Sequence, residues 1–451
     1  SIIAGFLGGG AVFVRNQMTQ ASENTKAEWA GLDFDPASIV SIEFGAADQG
    51  VRIERHPDRI DEWTGTWSSD EGDNTWGMNP NRIRGALRTL STTPVRLSVE
   101  QLTEIKGGLV LTSRDGSILS LSLGSDRSGG RAPLRLEQRD ESGAIERVLH
   151  GWVESGIADA FRFDNTLSWR DQKLMSIPVS SVDRVSIEAG DFATSLGLSN
   201  GRWHIVSPIR IDADRGRVEQ LIGTLLGLNA KRFVDQPIDD ATTGLSSPIA
   251  TISLHSNSET YALAVGQRAD IGGDTLYARF SSGGTDTLIH IPLEALTQLT
   301  AVPDAYVSTT AGSFAITDVR DVRIFNKENL PKFNPIRDGT TWSVDGVRTD
   351  TLNENAINRL LSLLAQTPAD AVRVLPPEQT LPKTIAGLEI LDLHDISIAP
   401  YTAAIEQSDQ GIRLLIMRAL DSGHHVVWAY VGEEAQATAT WLTLTAGRSG
   451  S

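Results

Sequence analysis

"GRWHIVSPIRIDADRGRVEQLIGTLLGLNAKRFV", Gly201 to Val234, reads as a strand carrying Trp203, a turn at Pro208, an amphipathic helix, and a second strand that opens on basic residues. Val218, Ile222 and Leu225 follow the i, i+4, i+7 spacing that gathers side chains on one helical face. The same order stands on either side of it, as "GTWSSDEGDNTWGMNPNRIRGALRTLSTTPVRL" from Gly65 and "TTWSVDGVRTDTLNENAINRLLSLLAQTPADAVRVL" from Thr340. Trp67, Trp203 and Trp342 each precede the first apolar helix anchor by fifteen or sixteen residues. The outer helices carry Ile83, Leu87 and Leu90 in one copy and Ile357, Leu361 and Leu364 in the other. A tryptophan at a fixed distance from a helix stripe is expected to plug the core between helix and sheet.

Polar residues mark where each helix should begin: Asn79 with Pro80, then Asp212, then Asn353. Arg96, Arg232 and Arg373 open the strand after each helix. Further on, "GLVLTSRDGSILSLSLG" from Gly108 alternates apolar and polar residues around Asp115-Gly116, the pattern of a tight hairpin, and "ATISLHSNSETYALAVG" from Ala250 repeats it. "LEILDLHDISIAPYTAAIE" from Leu388 is a degenerate third copy. The expected fold is therefore α+β: three tandem repeats of an antiparallel sheet, each covered by one long helix, forming an elongated body. The repeat units are expected at residues 31–175, 176–310 and 311–445.

Residues 1–30 read as part of a membrane anchor and a polar stalk. The stretch from Ser1 to Val14 is uncharged, and Ile2, Ile3, Phe6, Leu7, Val12 and Phe13 give it its apolar character. It is shorter than the roughly 20 residues a spanning helix requires, so the outer end of an N-terminal anchor is expected. Residues 446–451 read as a tail.

Of the 451 residues, 57 are Asp or Glu and 40 are Lys or Arg, a formal net charge of -17. Phosphate-backbone binding needs clustered basic residues, so nucleic acid is not expected as a partner. The absence of cysteine excludes disulfides, thiolate metal sites and cysteine nucleophiles.

No phosphate-cradling loop, paired-histidine zinc helix or nucleophile elbow is present. "DADRG" at Asp212 resembles an acidic calcium loop but lacks the following Glu, and a helix cap is the simpler reading, with Asp212 and Asp214 both preceding the helix where its dipole favours carboxylates. His424 and His425 sit between strands, where successive residues face opposite sides and do not readily share a metal, and a turn-edge role is expected. Asp239 and Asp240 read as loop solvation, and "DRSGGRAP" from Asp126 as a hairpin loop. His150 and His290 read as strand-end residues. No catalytic residue, metal ligand or cofactor is expected. Trp76 and Met78 lie in an insertion unique to the first copy, and an exposed contact surface for a partner is expected there.

Gly244, Leu245 and Pro248 form a Gly-Leu-x-x-Pro element after the helix, followed by a strand ending at Gly266 and an aromatic strand at Tyr277. With the Trp203 strand, Pro208 and an acidic helix start, this stretch, Ser176 to Thr310, resembles a bacterial envelope family of unknown function encoded beside gliding-motility-type ABC transporter subunits. The first copy lacks the Gly-Leu-x-x-Pro element, and the third has Asp345 in place of Pro208. The resemblance implies a non-enzymatic accessory or scaffolding subunit of an ABC-type export system, tethered at the periplasmic face of the inner membrane with a membrane protein complex as its partner. Two alternatives remain open, an envelope glycan- or lipid-binding module and a hydrolase whose site is invisible in sequence.

Overall fold

The alternation in "ATISLHS" becomes a strand, Ala250–Ser256, whose side chains are buried and half-buried in strict turn. The computed structural model describes residues 29–45, 50–59, 61–69, 72–98, 107–124, 130–154, 169–257, 259–270, 272–297, 299–408 and 411–447. The apolar run of Ile2, Ile3, Phe6, Leu7, Val12 and Phe13 and the last four residues of the tail lie outside them. Among the described residues, no helix is long and apolar enough to cross a membrane.

Strands of this kind assemble into three antiparallel sheets. The first holds β1 (Trp29–Ala30), β2 (Ile39–Phe44), β3 (Val51–Arg55), β4 (Trp63–Ser69), β5 (Gly72–Met78), β6 (Val95–Leu97), β7 (Gly107–Ser113), β8 (Ile118–Leu123), β9 (Arg131–Arg139) and β10 (Ile145–Glu154). The second holds β11 (Val182–Ala189), β12 (Phe192–Ser199), β13 (Arg202–Ser207), β14 (Ile211–Asp212), β15 (Arg232–Phe233), β16 (Ala250–Ser256), β17 (Glu259–Arg268), β18 (Thr275–Ser282) and β19 (Thr285–Pro292). The third holds β20 (Val319–Phe325), β21 (Pro331–Phe333), β22 (Ile336–Asp338), β23 (Thr341–Val344), β24 (Val347–Arg348), β25 (Ala371–Leu375), β26 (Thr384–Asp392), β27 (Ser397–Ser408), β28 (Gly411–Ala419) and β29 (His425–Tyr430).

One strand order recurs three times. The second sheet runs β14-β13-β12-β11-β16-β17-β18-β19-β15. The first runs β5-β4-β3-β2-β7-β8-β9-β10-β6 with β1 added at the end, and the third runs β24-β23-β22-β20-β26-β27-β28-β29-β25 with β21 beside β20. In each, four strands meander out to one edge, and the next strand lies at the opposite edge. A helix makes that crossing: α1 (Pro80–Ser91), α2 (Arg215–Leu226) and α5 (Thr351–Ala365), with the short α3 (Asp240–Thr243) and α4 (Glu294–Thr297) following in the second sheet's segment and α6 (Glu433–Ala446) closing the third.

The expected α+β class, with one long helix covering each sheet, is corrected by these dimensions. The crossing helices have 12, 12 and 15 residues, so at about 1.5 Å per residue they reach about 18–22 Å. Ten strands at about 4.8 Å spacing span about twice that. The molecule is mostly β, and the helices shield only part of each face. They still bury their apolar stripes, with Ile83, Leu87 and Leu90 in one cluster with strand residues such as Ile42, Ile53 and Leu111.

Helix starts differ in detail from the expectation. Asn79 caps α1, but Asp214 rather than Asp212 caps α2, accepting Arg217 N at 3.0 Å, and Asp350 rather than Asn353 caps α5, accepting Asn353 N at 2.8 Å.

The tryptophan series is also corrected at its first member. In β23, the carbonyl of Trp342 accepts Thr349 N one residue before the cap Asp350, and in β13 that of Trp203 accepts Ala213 N one residue before the cap Asp214. The corresponding residue in β4 is Trp63, paired with Met78 one residue before the cap Asn79. Trp63, Trp203 and Trp342 are buried, whereas Trp67 is half-buried and stacks under the Arg170 guanidinium at 3.9 Å. The β4–β5 hairpin is longer than its counterparts, and Trp67 lies farther along it than Trp63, half-buried and packed against the edge of the same core, which reproduces the sequence spacing by coincidence.

The chain divides into two compact units, Ser1–Gln172 and Lys173–Ser451. The second unit holds two sheets joined by 303–318, which is pinned to the third sheet's segment: Trp428 Nε1 donates to Ser308 O at 2.8 Å, Tyr401 Oη to Ala311 O at 3.0 Å, and Gly312 N to Leu364 O at 2.8 Å.

Candidate functional site

Register places polar side chains in rows across one face of the second sheet. The pairings Asp212↔His204, His204↔Gly197, Gly197↔Arg184 and Arg184↔His255 carry one row over β14, β13, β12, β11 and β16. The next row holds Ser207, Ser195, Ser186 and Ser253, paired in the same way. Alternation sends the intervening Val185, Leu196 and Ile205 into the core, where each is fully buried. Rungs of this kind follow from period two and antiparallel pairing alone.

An open groove of about 1040 Å³ lies along these rows, edged by Arg210 from the β13–β14 connection and by Arg418 from β28 of the third sheet. His204 Nδ1 lies 3.0 Å from Asp212 Oδ1, which fixes the ring and leaves Nε2 without a partner from that carboxylate. Ser186 and Ser195 hydroxyls are 2.8 Å apart, and His255 Nδ1 is 2.9 Å from Thr260 Oγ1. Among the described residues, Arg184, Arg210 and Arg418 have no ion-pair partner. Behind Arg418, burial pushes the Tyr401 hydroxyl up to about 12, with the Arg418 and Asp212 charges acting on it in opposite directions, so it stays a donor at neutral pH. Chemically this is a surface of cationic and hydroxyl donors with one oriented imidazole. Ser186 and Ser195 are bonded to each other, so neither is placed as a nucleophile for His204.

The residues singled out in sequence fall elsewhere. Met78 is in the core of the first unit at 2% exposure, and Trp76 is half-buried with its indole N–H donated to Asp171 O at 2.9 Å. The contact surface expected at this pair is corrected accordingly: Met78 contributes nothing to the surface, and Trp76 only part of its ring.

Asp239 caps α3 through Thr242 N at 2.8 Å, and Asp240 forms a two-point ion pair with Arg279; these bonds hold both carboxyls below the usual range. Gly244 has φ +75°, and a Cβ at Gly266 would stand 2.1 Å from Thr243 O. The Gly-Leu-x-x-Pro element therefore docks α3 onto β17, a structural task. His290 is buried edge-on to Tyr277 at 4.8 Å, and its pKa is lowered by burial and by Arg232. His424 Nδ1 contacts Ser422 Oγ at 3.1 Å in a turn. Among the described residues, no group of three His, Cys, Asp or Glu side chains is placed to hold a metal ion.

Residues 203–386 match the family model described as a domain of unknown function, DUF4340. The match takes in His204, Arg210, Asp212 and His255 of the groove and stops before Arg418. The comparison with curated proteins gives no match. Among solved structures, the chain is similar to a putative DNA polymerase III beta subunit from Eubacterium rectale at 8% identity, over 89% of this chain and 93% of that one, with a TM-score of 0.17. It is also similar to an endo-1,5-alpha-L-arabinanase from Thermotoga petrophila at 11% identity, over 89% and 99%, with a TM-score of 0.11. Scores this low carry no argument about fold or activity.

Sequence reasoning missed the groove because its members are spread over six strands of two sheets, and only register within one sheet and packing of the other bring them together. One signal was available: Arg184 and Ser186 alternate with Val185 and Ile187, and His204 with Trp203 and Ile205, as the polar alternates of strand-type runs.

Proposed function

We propose that this chain is a non-enzymatic binding subunit, working as a membrane-tethered accessory of an ABC-type export system on the periplasmic side, with the polar face of the second sheet as its contact surface. The observation that carries the reading is the row Asp212, His204, Gly197, Arg184 and His255 along an open groove rimmed by guanidiniums that have no ion-pair partner among the described residues. Arginines left unpaired at a groove offer fixed, directional donors to an incoming anionic or carbonyl-rich group. The assignment to an export system comes from the sequence resemblance over 176–310, and the match to the DUF4340 model over 203–386 is compatible with it.

Affinity capture tests the proposal. Tagged full-length chain, purified from detergent-solubilised membranes of its own organism, is expected to bring down transmembrane or ATP-binding subunits of an ABC exporter. Arg184→Ser with Arg418→Ser is expected to reduce that recovery tenfold or more while leaving the fold unchanged by circular dichroism. Recovery of the chain without any transporter subunit would contradict the proposal.

A further inference from the structure

We propose that the groove over Gly197 binds an oxyanion of the phosphate type, clasped by Arg184, Arg210 and Arg418 with His204 beside it. The inference deepens the reading of this face as a contact surface by naming the chemistry it accepts. Gly197 makes the room. It sits between His204 and Arg184 in the row, so the missing side chain leaves a trough about two strand spacings, or about 10 Å, across. A Cβ built at Gly197 meets only Val206 Cγ1, at 3.4 Å, so the space above it is open.

The donors around the trough suit an anion. In the Ser186–Ser195 pair, one hydroxyl donates to the other and the acceptor's own proton remains free for a ligand. Asp212 occupies Nδ1 of His204 and leaves Nε2 for the groove. Guanidiniums pair with tetrahedral oxyanions through two parallel N–H donors, which gives geometry as well as charge. Two carboxylates, Asp183 and Asp212, also line the groove, but three arginines outnumber them and His204 engages one of the two. A local excess of positive charge in a chain of net charge -17 is the opposite of what its composition supplies on average.

The test titrates inorganic phosphate into the purified full-length chain at constant ionic strength, followed by 31P line broadening and calorimetry. Saturable binding is expected, with affinity lowered tenfold or more in Arg184→Ser and in Arg418→Ser. Gly197→Val keeps every charge and fills the trough, and it is expected to abolish binding with the circular dichroism spectrum unchanged. A second arm sediments the chain with phosphatidylglycerol or phosphatidylcholine vesicles. Selective binding to phosphatidylglycerol that Gly197→Val removes identifies a lipid headgroup as the carrier, and phosphate binding without it identifies a free or soluble phosphate; both support the site. Absence of saturable phosphate binding, or binding equal in wild type and Gly197→Val, would overturn it. These readouts use purified protein, so a negative result here with successful transporter capture removes the anion site and leaves the contact surface in place.

Discussion

Trp342 is fully buried, donates its indole N–H to Asn358 Oδ1 at 3.2 Å, and has Arg337 over its ring at 5.4 Å. Removing such a side chain forfeits both transfer energy and packing, and Trp342→Ala is expected to cost about 3–5 kcal/mol in urea unfolding. Trp67→Ala, at the half-buried position, is expected to cost clearly less than Trp63→Ala, which reverses the order the sequence spacing implies. His290 makes a pH prediction at the same scale. Burial first, then Arg232, lowers its pKa in the folded chain, so the unfolded chain takes up the proton more readily. Stability should therefore fall as pH drops through the ordinary histidine range. His290→Gln is expected to flatten that part of the profile, as read from denaturation midpoints at several pH values.

Each crossing helix begins at a side chain that satisfies orphaned N–H groups, and the cap follows directly after the residue opposite a buried tryptophan. Asp214→Ala is expected to lower stability by about 1 kcal/mol, the usual value of a cap, with little change from Asp212→Ala by the same assay, apart from any effect of freeing His204. At this scale the sequence was informative where periodicity spoke: the anchors Ile83, Val218 and Ile357 are each fully buried. It was less informative about where helices start, because Asp212, Asp214, Asp350 and Asn353 are all acceptable caps and only backbone geometry separates them. The length of the β4–β5 hairpin could not be read either, since "SSDEGDNTWGMN" has the polar composition of a loop and yet its second half pairs as a strand.

In the second unit, the two sheets share the bonds from Trp428, Tyr401 and Gly312 to residues 308–312 and 364, and the Asp304 carboxyl is half-buried near the Val374 backbone. Desolvation raises the Asp304 pKa, although the Val374 backbone and the Arg373 charge act to lower it. The native state then favours the protonated form, so the penalty is absent in acid and grows as pH rises through the raised value. Asp304→Asn keeps the shape of the side chain and loses the charge. Its unfolding midpoint is expected to gain on wild type from weakly acidic to neutral pH.

Recurrence of the sheet was legible because a tryptophan, a helix stripe and a hairpin repeat in order along the chain. The mostly β character was not legible, because short strands such as β14, β15 and β24 leave too few alternating residues to register as strands. The groove was hidden for a different reason: Arg184, Gly197, His204 and Arg418 acquire meaning only as neighbours across strands and sheets.

The central claim is that the polar face of the second sheet is where this chain meets its partner, and site-specific photocrosslinking in living cells tests it directly. A photoreactive residue at His255, on the groove row, is expected to yield an adduct with an ABC exporter subunit, and one at Arg323, on β20 of the third sheet, is expected to yield none. Adducts from position 323 with none from position 255 would contradict the account.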